Sequence, residues 1–244
     1  WMVSSVGKLL GLTYVPEQQI GAWHQHDTDG TFESCAVVAE GSEDVLYCIV
    51  RRTINGSSKR YVERMASRQF VDAEDAFFVD SGLTYSGPAV TTISGLGHLE
   101  GMTVSILADG AVRPQRVVTS GSIDLDNEGS VVHVGLPITA DLQTLPVAIA
   151  IDNGYGQGRF KNVNKAWLRV HRSSGIFIGP DSDRLTEAKQ RTTEPYGSPP
   201  ALKSEEIQVM LTPSWADSGQ VFVRQSDPLP LTVVSMTAEV AVGG

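Results

Sequence analysis

The sequence predicts an all-β chain: a partial propeller-type antiparallel meander, then a small β-barrel, then a β-sandwich-like C-terminal region. Two observations carry this. Runs rich in Val, Ile, Thr, Tyr and Phe recur every ~8–15 residues, and turn residues drawn from 24 glycines and 12 prolines separate them. Amphipathic helices are missing: the best candidate, Asp183–Arg191, has only Leu185 and Ala188 as apolar members and reads as a solvated loop. A chain of 244 residues, as one large or two small domains, buries a core without staples.

Residues 1–70 read as a meander. Lys8–Tyr14 and Ile20–His24 are short strands, and Phe32–Glu40 and Val45–Arg52 form a hairpin across Gly41-Ser42-Glu43-Asp44. Asn55-Gly56, the strongest short hairpin signal, leads into Lys59–Met65. Ala36-Val37-Val38-Ala39 and Val45-Leu46-Tyr47-Cys48-Ile49-Val50 are apolar at successive positions, which predicts cover on both faces. The region amounts to about one and a half blades at ~40–45 residues each, so open edges are expected, to be completed by missing residues or neighbouring subunits.

In residues 71–140 the spacing tightens. Phe77–Asp80, Thr91–Ile93, Val104–Ala108, Arg116–Val118, Ile123–Leu125 and Val131–Gly135 are predicted strands, separated by Ser81-Gly82, Ser86-Gly87-Pro88, Asp109-Gly110 and Asn127-Glu128-Gly129. Strands this short predict a closed barrel, because closure removes the edges they would otherwise expose. Residues 141–244 carry the cleanest alternation. In Lys165–Arg172, Ala166, Leu168 and Val170 point one way and Lys165, Trp167, Arg169 and His171 the other; Val221–Gln225 and Leu231–Val240 continue the theme. The stretch 179–204 is charged and carries Glu194-Pro195-Tyr196-Gly197-Ser198-Pro199-Pro200. It exceeds the ~12–15 residues of an ordinary loop, and is expected to reach across to another subunit or to the tip of an assembly.

A net charge of −9, from 28 acids against 19 bases with no basic cluster, argues against gripping a nucleic-acid backbone by counterion release and permits a surface that DNA slides past. No apolar stretch approaches the ~18 residues of a membrane span. Trp1-Met2-Val3-Ser4-Ser5 has neither an initiator Met in first place nor the regions of a signal peptide, so a fragment or processed product is expected. Cys35 and Cys48 are too few for a disulfide framework and form no C-x-x-C pair. They fall on opposite arms of the first hairpin, where a bridge is geometrically open, and assembly in a reducing cytosol predicts two buried thiols.

His24 and His26 sit two apart on a predicted strand with Asp27 and Asp29 close behind, which would suit a metal. Spacing supplies no third ligand, so a strand running into an Asp-Gly turn is the preferred reading. Asp124-Leu125-Asp126-Asn127-Glu128-Gly129 resembles the start of a calcium loop, but Gly135 stands where the bidentate Glu belongs, and a hairpin turn is expected. Gly154-Tyr155-Gly156-Gln157-Gly158 has the glycines of a phosphate loop without a following helix. Glu43-Asp44 and Glu205-Glu206 read as solvated charge, and His98, His133 and His171 have no recognisable nucleophile partner. Trp23, Trp167 and Trp215 suit core or interface packing better than sugar binding. No catalytic, cofactor-binding or metal residue is assigned, and the chain is not expected to be an enzyme.

A resemblance to a known family covers most of the chain through about residue 170. It rests on Leu9-Leu10-Gly11-Leu12-Thr13-Tyr14 with Ala22-Trp23-His24-Gln25-His26-Asp27-Thr28-Asp29-Gly30; on Arg52-Thr53-Ile54-Asn55-Gly56 with Tyr61-Val62-Glu63-Arg64; and on Phe78-Val79-Asp80-Ser81-Gly82-Leu83-Thr84-Tyr85. Ile93-Ser94-Gly95-Leu96-Gly97-His98-Leu99-Glu100-Gly101, Leu107-Ala108-Asp109-Gly110 and Val132-His133-Val134-Gly135-Leu136-Pro137 add to it. These runs resemble the C-terminal half of the nozzle, or tail tubular, proteins of short-tailed phages, also described as packaged-DNA stabilisation proteins. The resemblance implies a propeller-like body with an inserted small barrel, a homo-oligomer of six copies ringed below the portal, and a channel through which DNA passes without specific binding. It implies other tail proteins as neighbours, on the adaptor or portal side and among fibres or spikes. It also implies residence in the virion tail after assembly in the host cytoplasm.

The barrel region is similar to a domain first named as the catalytic-cysteine half of ubiquitin-activating enzymes, but Val71–Thr139 contains no cysteine, so thioester chemistry does not carry over. Carboxylates along a lumen would repel phosphate and ease DNA transit. The alternatives are a receptor- or carbohydrate-binding tail tip module and, third, a tail-borne glycosidase, which needs two carboxylates ~5–10 Å apart in a cleft.

Overall fold

Alternating side chains turn nearly every predicted run into a strand. The computed structural model describes residues 1–148, 150–151, 154–156, 158–189, 194 and 198–243. In the first region these are β1 (Met2–Val3), β2 (Leu9–Val15), β3 (Ile20–His26), β4 (Thr31–Glu40), β5 (Glu43–Ile54) and β6 (Ser57–Arg64). They form two three-stranded antiparallel sheets, β1-β2-β3 and β4-β5-β6. The β5–β6 turn is the predicted Asn55-Gly56, both at positive φ as a tight hairpin requires. Along β5 the even positions Leu46, Cys48, Val50 and Ile54 are buried, and Leu9 of β2 packs on the first three. The prediction that both faces of this hairpin are covered is not met within the chain: Ile49 and Val62, paired on the other face, stay exposed.

Arg52 occupies the same inward face, and its burial is the notable feature of the region. Its side chain is 1% exposed. Nε and Nη2 donate to Oε1 and Oε2 of Glu63 on β6, each at 2.7 Å, Nη1 donates to the Asp29 carbonyl at 2.8 Å, and Nη2 reaches Asp80 Oδ1 at 3.2 Å. Thr28 Oγ1 also donates to Asp80, at 2.6 Å. Burial works to lower the guanidinium pKa, and the hydrogen bonds and charges of the two carboxylates outweigh it and raise it. Asp80 begins the first strand of the second region, so this network ties residues 1–70 to that region.

The second region contains β7 (Asp80–Ser94), β8 (Thr103–Ala108), β9 (Ala111–Val117) and β10 (Ser122–Leu136). It is not a closed barrel: the four strands lie in the order β7-β10-β8-β9, with β7 and β9 as edges. Of the expected strand Phe77–Asp80 only Asp80 is strand, and the expected Ser81-Gly82, Ser86-Gly87-Pro88 and Asn127-Glu128-Gly129 turns are irregularities inside two long strands instead. Register jumps between Gly129↔Val90 and Val131↔Ser86 on one side, and between Asp124↔Thr92 and Gly129↔Val90 on the other. Bulges bend strands and raise their twist, so two long strands curl around Ile93, Val104, Ile106, Ile123, Val132 and Val134 without closing. Pro88 is tolerated because a bulge leaves its missing N–H unasked for, and Pro114 sits on the open edge strand β9.

The third region holds β11 (Ala140–Gln143), β12 (Ala150–Ile151), β13 (Gly154–Tyr155), β14 (Lys161–Val170), β15 (Phe177–Gly179), β16 (Thr186–Glu187), β17 (Glu206–Met210), β18 (Phe222–Gln225) and β19 (Val233–Val242). Sheets β11-β18-β15-β16 and β17-β14-β19 meet across a shared core of Val163, Ala166, Leu168, Val170, Ile176, Ile178, Val209, Val221 and Val223. The predicted inward set Ala166, Leu168 and Val170 is buried. β12 and β13 pair antiparallel in a separate two-stranded sheet, and Gln157 of the glycine-rich stretch Gly154–Gly158 lies outside the described residues.

Of the long stretch 179–204, residues 190–193 and 195–197 lie outside the described residues. The described part folds back on its own chain: Ala188 N donates to Ile176 O at 2.8 Å, and Lys203 and Ser173 exchange backbone bonds at 2.9 and 3.0 Å. Asp183–Lys189 forms no helix, as expected, but it is not a solvated loop: Thr186–Glu187 pair with β15 and Ala188 is buried. Arg172 then reaches from this region to the Val71 carbonyl and lies over the Phe70 ring, 4.6 Å from its centroid. Among the described residues no helix is long and apolar enough to cross a membrane.

Candidate functional site

The part of the chain least satisfied by its own contacts is the β2–β3 ribbon. Only Leu9 and Gly11 of β2 are buried, and no residue of β3 is. Beyond Gly11 the hairpin overhangs the core it is rooted in. Register pairs Leu12 with Trp23 and Tyr14 with Gly21, which puts Leu12, Tyr14 and Trp23 on one face. Tyr14 is 69% and Trp23 61% exposed. The opposite face carries Thr13, Ala22 and Ile20, also exposed. A ribbon bare on both faces is marginal in water by itself.

The outer edge of β3 has no strand partner among the described residues. Natural edges are blunted by proline, lysine or bulges, and Ile20–His26 has no proline, no lysine and an unbroken register. By contrast β6, the edge of the next sheet, carries Lys59, Arg60, Glu63 and Arg64, and β9 carries Pro114. Among these edges β3 is the one left open to pairing.

At the root of the ribbon, His24 and His26 lie opposite Gly11 and Leu9 and share a face, as their spacing predicts. His24 Nδ1 is 2.8 Å from His26 Nε2, and the Trp1 ring stands 5.2 and 5.3 Å from the two imidazoles. A Cβ on Gly11 would overlap the His24 ring, so the glycine is the seat on which the imidazole lies. Burial, then the neighbouring His24 and Arg68, lower the His26 pKa. Asp27 is engaged elsewhere, by Lys8 at 2.9 Å and Gln25 at 3.0 Å. Asp29 contributes its carbonyl to Arg52. Among the described residues no group of three or more His, Cys, Asp or Glu is placed to hold a metal.

The remaining candidates disperse into structural roles. Cys35 and Cys48 are direct cross-strand partners and free thiols, but only Cys48 is buried and Cys35 is half-buried; burial, with Cys35 and Glu63 nearby, pushes Cys48 up to about 11, which keeps it protonated and unreactive. Asp124 accepts from Thr92 Oγ1 at 2.7 Å and Asp126 pairs with Arg116 at 2.6 Å, so the calcium-like stretch is strand with bulge. Glu205 pairs with Lys203 at 3.2 Å. Glu43 accepts from Ser67 at 3.5 Å, and Asp44 stands opposite Ala39 at the hairpin end. His98 Nε2 donates to the Ser81 carbonyl at 2.8 Å, and the His171 backbone bonds Thr232. Trp167 is half-buried and Trp215 exposed, on different sheets' surroundings from Trp23. Sequence reasoning passed over Arg52, Glu63 and Asp80. The signal was present, because Arg52 falls in step with Leu46, Cys48 and Val50.

His133 is buried in the second region, its Nε2 donating to the Glu74 carbonyl at 2.8 Å and its Nδ1 facing Thr84 Oγ1 at 2.7 Å. Burial lowers its pKa, with the Glu74 bond and Asp75 opposing. The unfolded chain therefore binds this proton more readily than the folded one, so the contribution is complete above about pH 6.5 and is lost as pH falls from there to the depressed folded value. Urea unfolding across this window is expected to show stability rising with pH, and His133→Gln is expected to flatten the slope. An unchanged slope in the variant would remove His133 as its source.

No family model matches the chain, and no curated protein matches it.

Proposed function

We propose that the chain is a structural component of a short-tailed phage tail, a nozzle-type protein whose copies ring the tail axis and leave a channel for DNA. The observation that carries the reading is the overhanging β2–β3 ribbon with its unblunted β3 edge, which a neighbouring strand would complete. The reading follows the sequence resemblance to nozzle-type proteins, and the net charge of −9 suits a passage that phosphate must leave freely. The chain acts by shape and assembly, with no reaction of its own; six copies, portal-side and fibre neighbours, and residence in the virion tail belong to the same proposal.

Blocking the edge tests it. Trp23→Pro removes an outward-facing β3 donor, since Trp23 stands in a non-hydrogen-bonded pair with Leu12, and Trp23→Lys adds a charge; both are expected to convert an assembling chain to monomer in sedimentation, with far-UV circular dichroism unchanged. A wild-type chain that stays monomeric at high concentration, together with intact particles lacking copies around the tail axis, would defeat the proposal. A second reading, a receptor- or carbohydrate-binding tail tip, is favoured by Tyr14 and Trp23 standing exposed on one face. Specific glycan-array binding by the isolated chain, lost in Trp23→Ala, would select it.

A further inference from the structure

We propose that His24 and His26 form a two-nitrogen chelate for a divalent transition-metal ion of tetragonal preference, Cu2+ above all. The first support is distance. Two nitrogens held cis on a tetragonal ion by bonds of about 2.0 Å stand about 2.8 Å apart, whereas a tetrahedral ion spreads them to about 3.3 Å. His24 Nδ1 and His26 Nε2 are 2.8 Å apart. Positions two apart on a strand face the same side, and the β2–β3 register holds both rings over the Leu9–Gly11 segment.

The second support is the chemistry of the facing nitrogens. Without metal, a hydrogen must lie between them, so one ring donates to the other. With each ring in the tautomer that carries its hydrogen on the far nitrogen, His24 on Nε2 and His26 on Nδ1, both facing nitrogens offer lone pairs, and small ring rotations let them share one ion seated about 2.0 Å from each, to the side of the line that joins them. Lys8 and Gln25 hold Asp27 away from the pair, so the other coordination positions fall to water. Cu2+ heads the affinity order of the divalent first-row ions for such donors.

The third support is the seat. Gly11 admits the His24 ring where any Cβ would displace it, so one residue that never touches the ion sets the chelating geometry. This makes Gly11 a positioning residue.

The test is a titration of the full chain with Cu2+ in a non-coordinating buffer, read by electron paramagnetic resonance and by tryptophan emission, since Trp1 lies 5.2 Å from His24. One equivalent is expected to bind saturably, with a tetragonal spectrum showing two nitrogen couplings and with quenched emission. Trp1→Phe is expected to lose most of the quenching and keep the binding. His24→Ala and His26→Ala are each expected to weaken binding by at least about tenfold. Gly11→Ala, with both ligands present and circular dichroism unchanged, is expected to weaken it as well and to lose the two-nitrogen pattern. Zn2+ is expected to bind more weakly than Cu2+. Copper affinity unchanged in the His24→Ala/His26→Ala double variant would overturn the proposal and assign the ion elsewhere on the chain. Both side chains are largely outside the core, so these variants are expected to fold; the outcome does not depend on whether the chain assembles.

Discussion

Arg52→Met is expected to destabilise the chain by about 3 kcal/mol and to lower its melting temperature by roughly 6–12 °C. Removing one partner of a buried ionic network costs about 3–5 kcal/mol because the charges left behind lose their counterion inside the protein. The lower end applies here, since the side chains of Glu63 and Asp80 each keep 22% exposure and water relieves part of the loss. Arg52→Lys is expected to recover only part of it: an ammonium cannot span both oxygens of Glu63 and also reach the Asp29 carbonyl and Asp80. Adding Glu63→Gln and Asp80→Asn to Arg52→Met should restore much of the stability, because the carboxylates themselves are the burden. Urea unfolding of the series decides it. An Arg52→Met midpoint equal to wild type would mean that the network is not what clasps the first region to the second.

Leu168→Ala is expected to cost about 2–5 kcal/mol, whereas Leu12→Ala in the dilute monomer is expected to cost no more than about 0.5 kcal/mol. Leu168 is fully buried on β14, the middle strand of its sheet, with Ile207 and Met236 opposite it on the two flanking strands. Truncation there loses the transfer free energy of the methyls and leaves a cavity that three strands cannot collapse into. Leu12 is a leucine of the same size on a face with nothing over it, so its truncation returns apolar surface to water that already wets it. At concentrations where the chain assembles, the Leu12 variant is expected to dissociate sooner, and the difference between the two regimes measures what covers the ribbon. Equal costs for the two leucines in the monomer would mean that the ribbon is already packed.

The candidate site was only partly legible. The spacing of His24 and His26 places them on one face, but the distance between their nitrogens depends on ring rotation over Gly11, thirteen positions earlier, which local sequence does not report. The openness of β3 was legible as a general expectation of unfinished edges. Which edge is unblunted emerges only when pairing shows Lys59, Arg60 and Arg64 on one border and Ile20–His26 on another. Pro88 shows why the barrel was misread. A proline beside glycine reads as a turn, and the same residues serve as a bulge once β10 lies alongside.

Strand identity, the facing of Ala166, Leu168 and Val170, and the Asn55-Gly56 hairpin were determined by sequence, because period-two burial and turn stereochemistry act over a few neighbouring residues. Tertiary structure decided the rest: the open order β7-β10-β8-β9, the burial of Arg52 between two distant carboxylates, and the bare ribbon that ends in β3. These depend on which segments meet across long stretches of chain, and a buried guanidinium or an unpaired edge has its meaning only from what stands opposite it.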